Sequence, residues 1–274
     1  MDSGLYAACA GLRAQSQALE VAAHNLANLN TAGFRGQQTT FQSLVASSGR
    51  SGPNVLGNAV SNVVNSVLNS ATNNFGVLEG THMDMTAGNL ETTVNPLDVA
   101  IEGSGFFAIQ TAAGIRYTRN GSFQVSSSGK LVTAAGDLVL NNLALKDPTI
   151  KNKDINVPAG VVSIASDGTL SVNGAVAGTI GLAEFAPGTM LTSEGGTLIS
   201  APEGSAKPAP QSRMKQGALE SSNVNSISSV VTLIGVQRQA ELLQRYVYVR
   251  HRVQPDCQHA TGKGLEKSLL AIRS

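Results

Sequence analysis

The stretch YTRNGSFQVSSSGKLVTAAGDLVL, residues 117–140, is a series of short runs of β-forming residues broken by Asn120-Gly121, Ser128-Gly129 and Ala135-Gly136. Short strands closed by small-residue turns of this kind predict antiparallel hairpins rather than a parallel sheet. The pattern continues in both directions. LDVAI and FFAIQ precede it, and VVSIAS, LSVNG and GTIGLAEFA follow, punctuated by Asp167-Gly168 and Asn173-Gly174. The sequence therefore predicts a central, mainly antiparallel β domain over residues 96–200.

Within this region GSGFFA, residues 103–108, matches the glycine spacing of a dinucleotide loop. That motif needs a helix behind its glycines to aim N–H groups at a pyrophosphate, and here Phe106-Phe107-Ala108-Ile109 continues as strand. A glycine turn between two strands is the expectation. No P-loop, GxSxG or HExxH pattern occurs, and no paired carboxylates stand in a recognisable frame. Asn120-Gly121-Ser122 is formally a glycosylation sequon but is read as a hairpin turn. Cys9 and Cys257 match no metal or redox spacing, and two thiols are too few for a disulfide framework. The expectation is a protein that is not an enzyme and carries no metal or cofactor.

Composition agrees. Charged residues make up 14% of the chain, against about 25% in ordinary soluble domains. Small and amide residues take their place, which suits surfaces that meet other protein. A net charge of +1 gives no general attraction to nucleic acid, and no apolar run is long enough to predict direct membrane insertion. The start, MDSGLYAACAGLRAQSQ, lacks a basic n-region, so a cleaved secretory leader is not expected.

The ends differ from the middle. Leu5, Leu12, Leu19 and Leu26 recur every seventh residue with small neighbours beside them, a narrow helical stripe that asks for a partner helix. Near the other end, NSISSVVTLIGVQRQAELLQR, residues 225–245, is amphipathic, with Asn225 or Ser226 placed to cap it. The fold class expected is α+β: N- and C-terminal helices pairing as a coiled coil around a central antiparallel β domain. The segments expected are 1–34 (N-terminal assembly helix), 35–95 (extended or irregular, with a marginal helix near 58–74), 201–224 (return connector, Pro-rich at its start) and 225–245 (C-terminal assembly helix).

The first helix runs into HNLANLNTAGFRG, residues 24–36. Asn25 and Asn28 share a helix face. Asn30 and Gly33 are the residues best suited to the left-handed conformation that ends a helix. Thr31 can bond the local backbone, and Phe34 can anchor the emerging chain on apolar surface. So many amides at one helix end suggest packing against other chains.

This stretch resembles the signature of the flagellar rod and hook proteins. NPLDVAIEGSGFFAIQ, residues 95–110, with residues 117–140, is similar to that family's central β region, and QGALESSNVNSISSVVTLIGVQRQAE, residues 216–241, resembles its C-terminal block. The three fall in the family's order. The opening MDSGLYAA and the lack of a large insertion lean toward the proximal rod members, with the distal rod members the close alternative. The resemblance implies a structural subunit of the basal-body rod. It would polymerise through its terminal helices into a drive shaft, with the β domain outside. Its partners would be other copies, neighbouring rod proteins and the flagellar export apparatus, which would explain the missing leader, and its place would be the rod crossing the periplasm. The assembly interface expected comprises Leu5, Leu12, Leu19, Leu26, Asn25, Asn28, Thr31, Gly33, Phe34, Asn223, Val224, Asn225, Val230, Leu233, Ile234 and Gln237. A β-rich binding or adhesion module with oligomerising terminal helices is the competing reading.

From Arg245 the text departs from the family. RYVYVRHRVQPDCQHATGKGLEKSLLAIRS carries six of the nineteen basic residues, where an amphipathic helix end is expected. Back-translation read one base later permits MYMFDTEFNRIA for residues 246–257. Residues 246–274 are thus an atypical tail, either a frameshift product or a genuine divergence.

Overall fold

A computed structural model describes residues 3–44, 75–143 and 153–251. The chain forms two compact units, one of residues 25–37 and 83–226, the other of residues 1–24, 38–82 and 227–274. The expected short helix near 58–74 and residues 252–274 of the tail lie outside the described residues.

The β-rich unit has a branched antiparallel sheet at its centre. Its strands are β5 (Phe106–Thr111), β6 (Gly114–Thr118), β7 (Phe123–Val125), β8 (Leu131–Thr133), β9 (Leu138–Val139), β13 (Leu182–Glu184), β14 (Thr192–Ser193), β15 (Ile199–Ser200) and β16 (Lys207–Pro208). They run β14-β15-β6-β5-β9-β8-β7, with β13 also on β5 and β16 on β13. A three-stranded sheet holds β10 (Val162–Ile164), β11 (Thr169–Val172) and β12 (Ala175–Thr179). Two-stranded pairs join β17 (Arg213–Gln216) to β4 (Val99–Glu102) and β18 (Ala218–Glu220) to β3 (Leu90–Thr92).

Strand β5 is apolar at consecutive positions because both its faces are covered. Phe107 and Ile109 enter one core with Val99, Phe123, Leu131, Leu170 and Ile180, while Phe106 and Ala108 enter another with Tyr117, Leu140, Ala183 and Ile199. Phe107 and Phe123 meet edge to face at 4.9 Å between ring centroids.

The turn chemistry is largely as expected. Asn173 (φ 50°) and Gly174 (φ 86°) close the β11–β12 hairpin with the two positive φ values of a type I′ turn. GSGFFA is a turn leading into β5. Asn120-Gly121 departs from expectation: β6 and β7, which it joins, are not neighbours in the sheet. There Ser122 N–H donates to Asn120 Oδ1, an Asx turn that redirects the chain rather than closing a hairpin.

The two regions read as connectors also contribute strands. In the first lie β1 (Gln37–Leu44), β2 (Phe75–Met83) and β3. In the second, β16, β17 and β18 pair with strands far away in sequence. Strands β16, β17 and β18 are only two to four residues long, so their backbone pairing, not their side-chain pattern, makes them strands.

In the other unit β1 pairs with β2, and the helices are α1 (Ser3–Ala27, whose last turn belongs to the β-rich unit) and α2 (Ser226–His251). Helix α2 runs past Arg245 into the atypical tail. Leu12 on α1 is buried while Leu19 and Leu26 are half-buried; of Leu5 only the backbone is described. The more continuous buried face is Ala14, Ala18 and Ala22, four apart. Helix α2 meets α1 on this small-residue side. A side chain at Gly11 would touch Leu243 at 3.5 Å, and Gln15 Nε2 donates to Gln239 Oε1, so the contacts run in opposite sequence directions. Both contacts fall at Gly11 and Gln15, beside the leucine stripe rather than at one of its leucines. Gly and Ala let helix backbones approach where leucines hold them apart. Neither helix is long and apolar enough to cross a membrane.

Candidate functional site: a buried polar clasp

The segment joining α1 to β1 is held inside the β-rich unit by a cluster of buried polar groups. At the end of helix α1, Thr31 Oγ1 donates to the Asn28 side-chain Oδ1 at 3.1 Å rather than to the local backbone as expected, and Phe34 N–H donates to the Thr31 carbonyl at 3.2 Å. The left-handed residue is Gly33 (φ 69°), not Asn30. Gly33 N–H donates to the Glu220 carbonyl at 2.7 Å, and a Cβ there would stand 2.3 Å from the Arg119 carbonyl carbon. Only glycine satisfies both the conformation and the approach. Phe34 is 1% exposed.

Arg35, Arg119 and Glu220 form an ion triad, with exposures of 4%, 3% and 1%. Arg35 reaches Glu220 Oε1 at 2.8 Å, and Arg119 reaches Oε2 at 3.1 Å. Gly88 N–H also donates to Oε1, at 2.8 Å. Arg35 donates a further bond to the Thr86 carbonyl, and Arg119 one to the Gly103 carbonyl at 2.6 Å. The Arg119 guanidinium lies over the Phe106 ring, 4.8 Å from its centroid. Burial pulls both guanidinium pKa values down, and the Glu220 carboxylate opposes that pull. The local folds deliver these groups. Arg119 follows the end of β6, Gly103 follows β4, and Glu220 ends β18, which its antiparallel partner β3 places opposite Leu90.

Two asparagines complete the cluster. Asn25 Oδ1 accepts from Gln37 N–H at 2.9 Å and its Nδ2 donates to the Gln37 carbonyl at 2.7 Å. Asn223 Oδ1 accepts from Gly36 N–H at 2.7 Å, while its Nδ2 donates to the carbonyls of Asp84 at 3.0 Å and Thr86 at 2.9 Å.

Of the residues expected at an assembly interface, the structure gathers Asn25, Asn28, Thr31, Gly33, Phe34, Asn223 and Val224 in or beside this clasp, bonded within the chain. On α2, Val230 and Ile234 are exposed while Leu233 and Gln237 are half-buried; Asn225, just before the helix, is exposed. The clasp's charged members were missed. Arg119 and Glu220 stand in stretches the sequence singled out, yet lone charges beside short strands ordinarily face water. Among the described residues no cluster of His, Cys, Asp or Glu could hold a metal ion. The triad sets two guanidiniums against one carboxylate, so it is bonded together yet keeps one net positive charge.

Comparison with known proteins places the clasp in context. Residues 5–35 match the family model described as flagella basal body rod protein, residues 100–172 the flagellar hook protein FlgE/F/G D1 domain, and residues 215–246 the flagellar basal body rod FlgEFG protein C-terminal region. A flagellar basal-body rod protein FlgG from Borreliella burgdorferi is 31% identical over 250 residues, 88% of this chain and 92% of the relative. The chain belongs to the flagellar basal-body rod protein family. It is a structural subunit of the rod and belongs to the flagellar basal body. FlgG of Bacillus subtilis is 32% identical over 87% of this chain and 91% of the relative, and FlgF of Mesorhizobium japonicum 31% over 88% and 90%. All three family segments reach the clasp in this rod subunit: Gly33 and Arg35 from the first, Gly103 and Arg119 from the second, Glu220 and Asn223 from the third. The C-terminal match stops at residue 246, where the atypical tail begins.

Proposed function

We propose that this rod subunit polymerises through its terminal helices, neighbouring copies and adjacent rod proteins covering apolar faces that one copy leaves open. The shaft so formed transmits torque from motor to hook, without catalysis or cofactor. Residues 1–34 and 225–245 are the assembly segments in this reading, and residues 96–200 the core of the β domain. The subunit passes through the flagellar export apparatus without a cleaved leader and stands in the rod where it crosses the periplasm.

The observation that carries this is the double face of α2. Leu233, Val236, Ala240 and Leu243 are half-buried at three-and-four spacing. On another side of the helix Ile227 (76%), Val231 (65%) and Ile234 (44%) are exposed at the same spacing. A surface helix that needed one partner would carry one apolar stripe; two stripes ask for a second. Covering such side chains contributes roughly 1.5–3 kcal/mol each.

Ile234→Asp and Val231→Asp are expected to abolish motility and rod assembly while leaving the β-sheet circular dichroism of the purified subunit unchanged. Thr232→Asp, off the stripe and already exposed, should swim. Normal swimming by Ile234→Asp would remove this face from the assembly.

A further inference from the structure

The β-rich unit is entered or left by the chain at four places, after residues 24, 37, 82 and 226. A member of the clasp lies close to each: Asn25, the Gly36–Gln37 dipeptide, Asp84 and Asn223. All polar backbone groups of that dipeptide are occupied by these neighbours. Asn25 takes both Gln37 groups, Asn223 takes Gly36 N–H, and Asp84 N–H donates to the Gly36 carbonyl at 2.8 Å. Asn223 returns to the Asp84 carbonyl, closing the set. Each amide orientation is fixed by its own pair of bonds, since a flip would set donor against donor and acceptor against acceptor.

We infer that Asn25 and Asn223 are positioning residues acting as one device through Gly36–Gln37, which holds the four crossing points, and with them the roots of both terminal helices, in fixed register. Asparagine is required at both sites because only an amide offers a donor and an acceptor side by side at this reach. Aspartate would lose the donor and bring its charge against carbonyl oxygens. Directional bonds resist rotation in a way apolar contacts do not. A shared register serves a subunit whose two helices must meet their neighbours together, so the inference rests on the assembly proposed above.

The test is amide hydrogen exchange on the purified full chain. Asn223 bonds Gly36, Asp84 and Thr86, whereas the Gln37 amide bonds Asn25, so that amide reports coupling rather than its own lost hydrogen bond. Asn223→Ala should speed its exchange about tenfold, the scale of one net hydrogen bond. The Leu131 amide, bonded to the Ile155 carbonyl at 3.0 Å in the β core, should keep its rate. The Asn25→Ala, Asn223→Ala double variant should exchange at Gln37 no faster than Asn25→Ala alone. An unchanged Gln37 rate in Asn223→Ala overturns the inference, as does equal acceleration at Leu131, which would mean general destabilisation. Loss of motility in both single variants, with the Leu131 rate kept, is the expected partner result. Intact motility beside coupled exchange would show that the rod does not use the register and would equally overturn it. The exchange arm does not depend on assembly, and the α2 face is judged separately by Ile234→Asp, so the two readings can fail independently.

Discussion

At the scale of single residues, Glu220 ties three other stretches of the chain to β18. Its carboxylate receives Arg35, Arg119 and Gly88 N–H, and its carbonyl receives Gly33 N–H. Glu220→Gln keeps the shape and removes the charge, leaving two buried guanidiniums facing each other. Removing one partner from such a group costs about 3–5 kcal/mol, and urea unfolding of the purified subunit should show it. A much smaller loss would mean that the guanidiniums find other partners. Lys130–Asp154 is the control: its side chains are 40% and 29% exposed, so Asp154→Asn should change stability little. Little of the triad was legible beforehand. Gly33 and Phe34 announced themselves by residue type, whereas nothing in the sequence brings positions 35, 119 and 220 together. They meet only because β18 pairs with β3 and β17 with β4, and both pairings involve segments read as connectors.

At the scale of elements, α1 buries a second, less conspicuous face beside its leucines, of which Leu12 is as buried as any alanine. Leucines every seventh residue stand out in any helix. Alanines every fourth do not, because alanine is also the commonest filler of a good helix. Yet Ala14, Ala18 and Ala22 are buried, and α2 approaches on that side. Ala18→Leu should therefore be disruptive although it raises hydrophobicity, because overpacking a close helix contact costs about 1–3 kcal/mol. Helical circular dichroism should melt earlier while the β signal melts where it did. An unchanged helical melt would show that the alanine face has room to spare. The hairpins were the most legible elements, since Asn173-Gly174 and Asp167-Gly168 demand backbone conformations that few other residues supply. Strands β16, β17 and β18 were hidden, because two- to four-residue strands are defined by partners distant in sequence.

At the scale of the whole molecule, the family was legible from blocks at the start, middle and end of the chain, while the division into units was not. The structure gives the segment after α1 to both units, because residues 25–37 fold with the β strands and 38–82 with the helices. The part of the β-rich unit away from the clasp is expected to tolerate change. An epitope of ten or so residues placed between Asn173 and Gly174 should leave motility intact and bind antibody on isolated basal bodies. A side chain at Gly174 would meet nothing within 4 Å, and exposed hairpin tips are where insertions are accepted. Loss of swimming would mean that this tip touches a neighbour in the rod. The clasp has a consequence of the same kind on a longer timescale. A unit whose entrances and exits lie beside one knot of bonds can exchange its far loops over generations while the knot itself stays the same.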